Sequence, residues 1–154
     1  YLDKLHENVA VYMHSGSQPA KSAAAGEYGI GISFGYRCIQ SAEEVGSDIC
    51  EAVFPKEGSG WDMEANALIK KDQEKEISKK FLDWAISENV MKKYATNYPI
   101  VATGVGDNIP EGYSQNPIDQ LIPDMDFNKA AKDRESVLET WTEKYDSKSA
   151  QEEG

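Results

Sequence analysis

Residues 9–34 read VAVYMHSGSQPAKSAAAGEYGIGISF, and the order of apolar, small and polar residues in this segment predicts the fold class. Val9 to Tyr12 is short, β-branched and apolar, which is typical of a buried strand. A serine-rich turn leads into a helix predicted from Gln18 to Ala25, which Gly26 ends. Tyr28 to Phe34 alternates apolar residues with glycine and serine, as a second strand does. This strand–helix–strand unit predicts an α/β protein with a parallel-type sheet and flanking helices.

The rest of the chain continues the alternation of strands and helices. Residues 40–47 are a polar connection, and strands are predicted near residues 49–54 and 65–70. Asp72 is expected to cap a long helix, and a last helix carries an apolar face from Phe127 to Tyr145. The tail from Asp146 onward is polar and is expected to fray. The apolar stripe of the long helix is Ile77, Phe81, Trp84 and Ala85.

Composition excludes several classes of function. The chain has 154 residues, 40% hydrophobic and 28% charged, which is enough for one domain with a core. Its net charge of −11 argues against chain-wide binding of nucleic acid or anionic membrane. No apolar run approaches the roughly 20 residues of a membrane-spanning helix. Residues 1–40 are electrically neutral, so an anionic ligand is repelled least in this part of the chain.

The turn Ser15-Gly16-Ser17 is the most informative local feature. It lies between a predicted strand and a predicted helix, where unpaired N–H groups and two hydroxyls can hold an anion or phosphate. A plain serine N-cap explains the same residues, and both interpretations stay open. His14 beside the turn can donate a hydrogen bond either to an anion or to a backbone carbonyl.

A second motif, Gly31-Ile32-Ser33-Phe34-Gly35, matches the nucleophile elbow of serine hydrolases. That fold needs a histidine after the nucleophile, whereas His6 and His14 both precede Ser33. A hydrolase using Ser33 is therefore kept only as an alternative, and we expect no enzyme activity.

A third motif matches part of a calcium-binding loop. Asp124, Asp126, Asn128 and Glu135 have the spacing of four ligand positions, but Lys129 stands where the loop requires glycine. The acidic N-terminus of a helix accounts for the same residues, so we expect no metal and no cofactor.

Several segments together resemble the periplasmic solute-binding proteins of ABC importers, in the group that includes ferric-iron, aminoethylphosphonate and sugar-phosphate binders. The segments that carry the resemblance are residues 11–20, 24–27, 30–34, 54–61, 67–70 and 80–85, followed by the aromatic C-terminal helix. The resemblance implies a two-lobed fold of the periplasmic-binding-protein type II kind. It also implies that this chain is the C-terminal portion, in agreement with its start at Tyr1, which looks like the interior of a helix. Residues 1–54 would belong to the ligand-gripping lobe, 55–72 would cross between lobes, and 73–154 would pack on them as helices.

The resemblance also implies a ligand and a set of binding residues. Its members hold an anion at the serine-rich turn, which corresponds here to Ser15, Gly16 and Ser17, with His14 beside them. The iron-binding members have two adjacent tyrosines, and here those positions are Gly35 and Tyr36. One phenolate is a poor ferric site, so a phosphate- or phosphonate-bearing solute is the expected ligand. Ferric binding through Tyr36 is the alternative.

The resemblance further implies a permease partner in the membrane and a periplasmic or extracytoplasmic location, with a lipoprotein anchor as one option in the full-length form. Cys38 and Cys50 are too few for a disulfide scaffold, and their spacing alone leaves free thiols and one disulfide both open. An oxidising compartment favours the disulfide. The chain alone is expected to bind its solute weakly and to self-associate.

Overall fold

The computed structural model describes residues 1–106 and 108–151, in which the chain forms two compact units. The first unit contains residues 1–51 and the described residues from 126 onward, and the second contains residues 52–125. Short 3₁₀ helices lie at Pro117–Gln120 and Asp146–Lys148. The α-helices are α1 (Leu2–Asn8), α2 (Gln18–Ala24), α3 (Gly35–Val45), α4 (Glu76–Ala85), α5 (Glu88–Tyr94) and α6 (Phe127–Lys144).

The predicted parallel sheet is not confirmed. Within residues 1–106 and 108–151, the paired strands are β1 (Ile100–Val101) and β2 (Gly104–Val105), which run antiparallel in the second unit. Among the described residues, parallel pairing is limited to two isolated bridges, Tyr12 with Ser149 and Ser59 with Leu121.

The predicted strand over residues 28–34 shows why the pattern was misleading. Its apolar side chains face water, with exposed fractions of 84% for Ile30 and 70% for Ile32. Residues 28–33, all of them described, make no backbone–backbone hydrogen bond. A strand exists only through hydrogen bonds to a neighbouring segment, so an alternating pattern without that neighbour remains a single unpaired segment.

The helix after the serine-rich turn is confirmed as α2, and it packs against α3. Helix α3 was not predicted, because much of it was assigned to the polar connection at residues 40–47. It buries Ile39 and Ser41, while Glu43 and Glu44 are exposed. The polar residues from Gln40 to Glu44 made this part of the helix look like a connection in the sequence.

The long predicted helix begins later than expected, and most of its apolar stripe is exposed. Helix α4 starts at Glu76, so the predicted cap at Asp72 is wrong. Of the stripe, Ala85 is buried, whereas Phe81 and Trp84 are 56% and 54% exposed. Helix α5 packs against α4 and buries Val90 and Met91, which form part of the core of the second unit.

The tail does not fray where it follows α6. The amide of Tyr12 donates to the carbonyl of Lys148, and the amide of Ala150 donates to the carbonyl of Tyr12, both at 2.8 Å. The ammonium group of Lys148 donates to the carbonyls of His6 and Val9 at the end of α1, at 2.6 and 2.7 Å. We call this contact, between residues 141–150 and residues 3–14, the terminal clasp. Residues 152–154 of the predicted tail lie outside the described residues.

Aromatic side chains fill the terminal clasp. The rings of Tyr12 and Trp141 meet edge to face with centroids 4.6 Å apart, and His6 stacks on Tyr12. Tyr145 is buried, and its hydroxyl donates to the carboxylate of Asp3 at 2.8 Å. The predicted apolar face of α6 therefore packs on the N-terminal segment through Trp141 and Tyr145.

The calcium-like motif has the role of a helix N-terminus. The carboxylate of Asp126 accepts a hydrogen bond from the amide of Lys129 at 2.9 Å and thereby caps α6. Lys129 also forms an ion pair with Asp133 one turn further on.

Candidate functional site

The serine-rich turn lies directly before α2. Ser17 occupies the N-cap position, but its hydroxyl makes no capping hydrogen bond to the helix backbone. Instead the hydroxyls of Ser15 and Ser17 are hydrogen-bonded to each other at 3.4 Å. Ser15 and Gly16 are exposed, and Ser17 is half-buried. Two hydroxyls at a helix start that do not cap the helix are available as donors to a ligand.

A shallow cavity of about 290 Å³, widely open to the solvent, lies beside this turn. One side is formed by the turn and the start of α2, and the other by the end of the unpaired segment that follows α2. All the lining residues belong to the first unit. They are Met13, Ser15, Gly16, Pro19, Ile32, Ser33 and Phe34.

Two glycines allow the two sides of the cavity to approach each other. A Cβ atom on Gly31 would lie 2.0 Å from the carbonyl oxygen of Pro19, and one on Gly16 would lie 2.4 Å from the ring of Phe34. The hydroxyl of Ser33 donates to the carbonyl of Gly16 and ties the sides together. Any side chain at residue 31 would push its segment away from α2, because a backbone carbonyl cannot move aside as a side chain can.

His14 points away from the cavity lining. Its Nε2 lies 2.9 Å from the carbonyl oxygen of Ala150, and because a carbonyl only accepts, Nε2 must carry the proton. Of the two roles left open by the sequence, the structure shows His14 bonded to a backbone carbonyl. His14 thus connects the turn to the terminal clasp.

Tyr36 adjoins the cavity through Phe34. The rings of Phe34 and Tyr36 are stacked with centroids 6.0 Å apart, and the guanidinium carbon of Arg37 lies 4.9 Å from the centroid of the Tyr36 ring. Among residues 1–106 and 108–151, no group of three or more histidine, cysteine or acidic side chains is arranged to hold a metal ion. Tyr36 lies between the ring of Phe34 and the guanidinium of Arg37 at the start of α3.

Ser33, the candidate nucleophile, has no histidine partner in the described part of the chain. Its hydroxyl proton is directed to the carbonyl of Gly16. The nitrogens of the two histidines bond elsewhere, His6 to the hydroxyl of Tyr12 and His14 to the carbonyl of Ala150. The general base that nucleophilic catalysis requires is not within hydrogen-bond reach in this arrangement.

Cys38 and Cys50 are half-buried and are both free thiols in this structure. Burial raises the pKa of the Cys38 thiol, and the nearby Cys50 raises the pKa further. Cys50 therefore lies close enough to Cys38 to affect the ionisation of the Cys38 thiol. Their disulfide stays a prediction.

The sequence pattern identified the turn but missed the other side of the cavity. Ile32 and Phe34 were assigned to a buried strand, and Met13 and Pro19 were given no binding role. The spacing of Gly16 and Gly31 was the available signal, since each marks a close approach that only glycine permits.

Comparison with known proteins gives the family. Residues 1–118, which are 118 of the 154 residues, match the family model described as bacterial extracellular solute-binding protein. An uncharacterised protein of Haemophilus influenzae is 26% identical over 146 residues, which cover 93% of this chain and 42% of that protein. This chain therefore spans less than half the length of that relative. No solved structure matches the chain significantly.

Family membership implies an extracytoplasmic location, and members of solute-binding families are generally not enzymes. Across residues 1–106 and 108–151, none of the helices combines the length and the apolarity needed to cross a bilayer. The family match covers both the serine-rich turn and the cavity beside it. On this evidence the chain belongs to the family of bacterial extracellular solute-binding proteins.

Proposed function

We propose that this chain acts in the substrate-binding component of an ABC importer and that it captures a small anionic solute bearing a phosphate or phosphonate group. The observation that carries the proposal is the hydroxyl of Ser15, which lines a cavity, together with the hydroxyl of Ser17, which is hydrogen-bonded to it and does not cap α2. Hydroxyl and amide donors at a turn suit a tetrahedral anion. The solute and a membrane permease are the proposed partners.

Charge supports an anionic ligand at this place. The chain carries −11, but the acidic and basic residues of the first 40 positions cancel. A phosphate near the turn therefore meets less repulsion than it would near the acidic remainder of the chain. His14 is proposed to hold the turn in place through Ala150, and Tyr36 to support the aromatic side of the cavity.

The alternatives have weaker support from the geometry. Ferric binding through Tyr36 would bring a trivalent cation close to the guanidinium of Arg37, which repels it. Hydrolysis at Ser33 would require its proton to leave the carbonyl of Gly16 for a base that is not in contact. A receptor without chemistry of its own agrees best with the family.

The test is a residue-resolved titration of the 154-residue chain by NMR, with methylphosphonate as the probe. Saturating concentrations should shift the amide resonances of residues 15–17 most. The variant Ser15→Ala with Ser17→Ala should bind at least about tenfold more weakly, since each lost hydrogen bond to a charged group is worth roughly 1.5–3 kcal/mol. Ser136→Ala, on the exposed surface of α6, is the control and should bind as the unchanged chain does. Equal affinity in the double variant would refute the proposal.

A further inference from the structure

The cavity beside the serine-rich turn is mostly apolar. Four of its seven lining residues are Met13, Pro19, Ile32 and Phe34. Phe34 is 60% exposed and Ile32 is 70% exposed, so both present apolar surface to the solvent beside the hydroxyl of Ser15. Apolar surface that lines a concave site, next to a few polar groups, is the usual composition of a small-molecule site.

Phe34 is held in position from two sides. The ring lies so close to the backbone of Gly16 that a Cβ atom there would be 2.4 Å from Cε2. On another side the ring of Phe34 stacks with the ring of Tyr36, and the guanidinium of Arg37 lies over the Tyr36 ring. Ser33, one residue earlier, bonds to the carbonyl of Gly16. The aromatic ring therefore lies directly against the serine-rich turn, which suits a ligand with two chemically different ends.

The volume of the cavity exceeds the needs of an inorganic anion. An apolar cavity of about 150 Å³ is enough for benzene in another protein. The depression here has about 290 Å³ and is open to the solvent, so a tetrahedral anion and a body of about the size of a six-membered ring can both reach its lining. Inorganic phosphate would leave the apolar side of the cavity in contact with water.

We infer that the solute carries an apolar body joined to its anionic group, and that Phe34 and Ile32 pack against this body while Ser15 and Ser17 bind the anion. The inference rests on the proposed function and narrows its substrate class to organic phosphonates and phosphate esters with an alkyl or aryl face. The body gains affinity by removing the exposed faces of Phe34 and Ile32 from water.

The experiment compares phenylphosphonate with methylphosphonate, both as dianions, by the same NMR titration. Phenylphosphonate should bind about tenfold more tightly, a factor that needs only roughly 60 Å² of additional buried apolar surface. It should also shift the ring resonances of Phe34 and the methyl resonances of Ile32, which methylphosphonate should leave nearly unchanged.

Two variants test whether Phe34 provides the preference. In Phe34→Ala the affinity ratio of the two probes should fall towards one. In Gly16→Ala the ring is retained but must move, and because it is an exposed side chain it can move without unfolding the chain. The ratio should fall there as well. Phe81→Ala is the matched control, because Phe81 is 56% exposed, lies in the second unit and is far from the lining in sequence. It should keep the ratio of the unchanged chain.

The outcomes separate the two proposals. Equal affinity for both probes, with shifts at residues 15–17, would overturn the apolar body and leave the proposed function standing. A preference for phenylphosphonate that survives in Phe34→Ala would overturn the role of Phe34. Failure of both probes to shift residues 15–17 would refute the proposed function and the inference together.

Discussion

Replacing Lys148 by Met should loosen the terminal clasp without removing the aliphatic stem of the side chain. The ammonium group donates to the carbonyls of His6 and Val9 at 2.6 and 2.7 Å, at the C-terminal end of α1. The carbonyl of His6 also accepts a longer hydrogen bond from the amide of Val9, at 3.3 Å. Hydrogen bonds from a charged donor contribute roughly 1.5–3 kcal/mol each when they are buried. Lys148 is half-buried and water can replace part of the loss, so we expect a total of about 2 kcal/mol.

Native-state hydrogen exchange measures this loss locally. The amides of Tyr12 and Ala150 are protected by the two backbone hydrogen bonds of the clasp, and they exchange when the clasp opens. A loss of about 2 kcal/mol corresponds to exchange about 30-fold faster at both amides. The amide of Ala95, bonded to Met91 in the second unit, should keep its rate.

Lys92→Met is the control for charge removal, since Lys92 pairs with Glu88 on an exposed helix surface. Such pairs contribute only about 0.3–0.5 kcal/mol. If Lys148→Met changed the exchange of Tyr12 and Ala150 no more than Lys92→Met does, the clasp would not depend on the ammonium group and the reasoning would be wrong.

Two further predictions concern the acid stability of the clasp and the thiols. The hydroxyl of Tyr145, and secondly the ammonium of Lys144, lower the pKa of Asp3. Because the pKa of Asp3 is lower in the folded chain than its unfolded value near 4, ionised Asp3 stabilises the fold above that unfolded value. This stabilisation disappears as the pH falls through the folded pKa. In urea titrations, Asp3→Asn should therefore lose less stability between pH 7 and about pH 3 than the unchanged chain does. Cys38 and Cys50 should be disulfide-bonded in protein from an oxidising compartment, with on the order of 3 kcal/mol of stabilisation. Thiol titration of the denatured, unreduced chain should find no free sulfhydryl, and two would contradict the prediction.

Local signals predicted the helices that have clear ends. Gly26 marked the end of α2, and the acidic residues before Phe127 marked the start of α6, where Asp126 is the cap. These features depend on a few neighbouring residues, which the sequence shows directly. Helix α3 was missed because its second half, from Gln40 to Val45, is mostly polar and was assigned to a connection.

Pairing of strands could not be predicted in the same way. The alternation around Ile30 and Ile32 is correct for a strand with one apolar face, but a strand also needs a hydrogen-bonded neighbour that the segment itself does not contain. The tail was misjudged for the related reason that its partner, Tyr12, lies more than a hundred positions away in the sequence. Long-range contacts of this kind leave no local pattern.

One end of the candidate site could be predicted from neighbouring residues, whereas the other end depends on a contact between separate segments. Ser15 and Ser17 are neighbours in sequence, so the polar end of the site was predictable from the turn alone. The apolar end depends on the approach of Phe34 to Gly16, which requires the chain to pass through α2 and return. The hydroxyl of Ser33 bonds to the carbonyl of Gly16, and Gly31 lets the segment after α2 approach Pro19 closely. The two ends of the site therefore lie together within one compact unit. If the proposed function holds, we expect a ligand that contacts both ends to bind more tightly than the bare anion, because the two ends already lie side by side before the ligand binds.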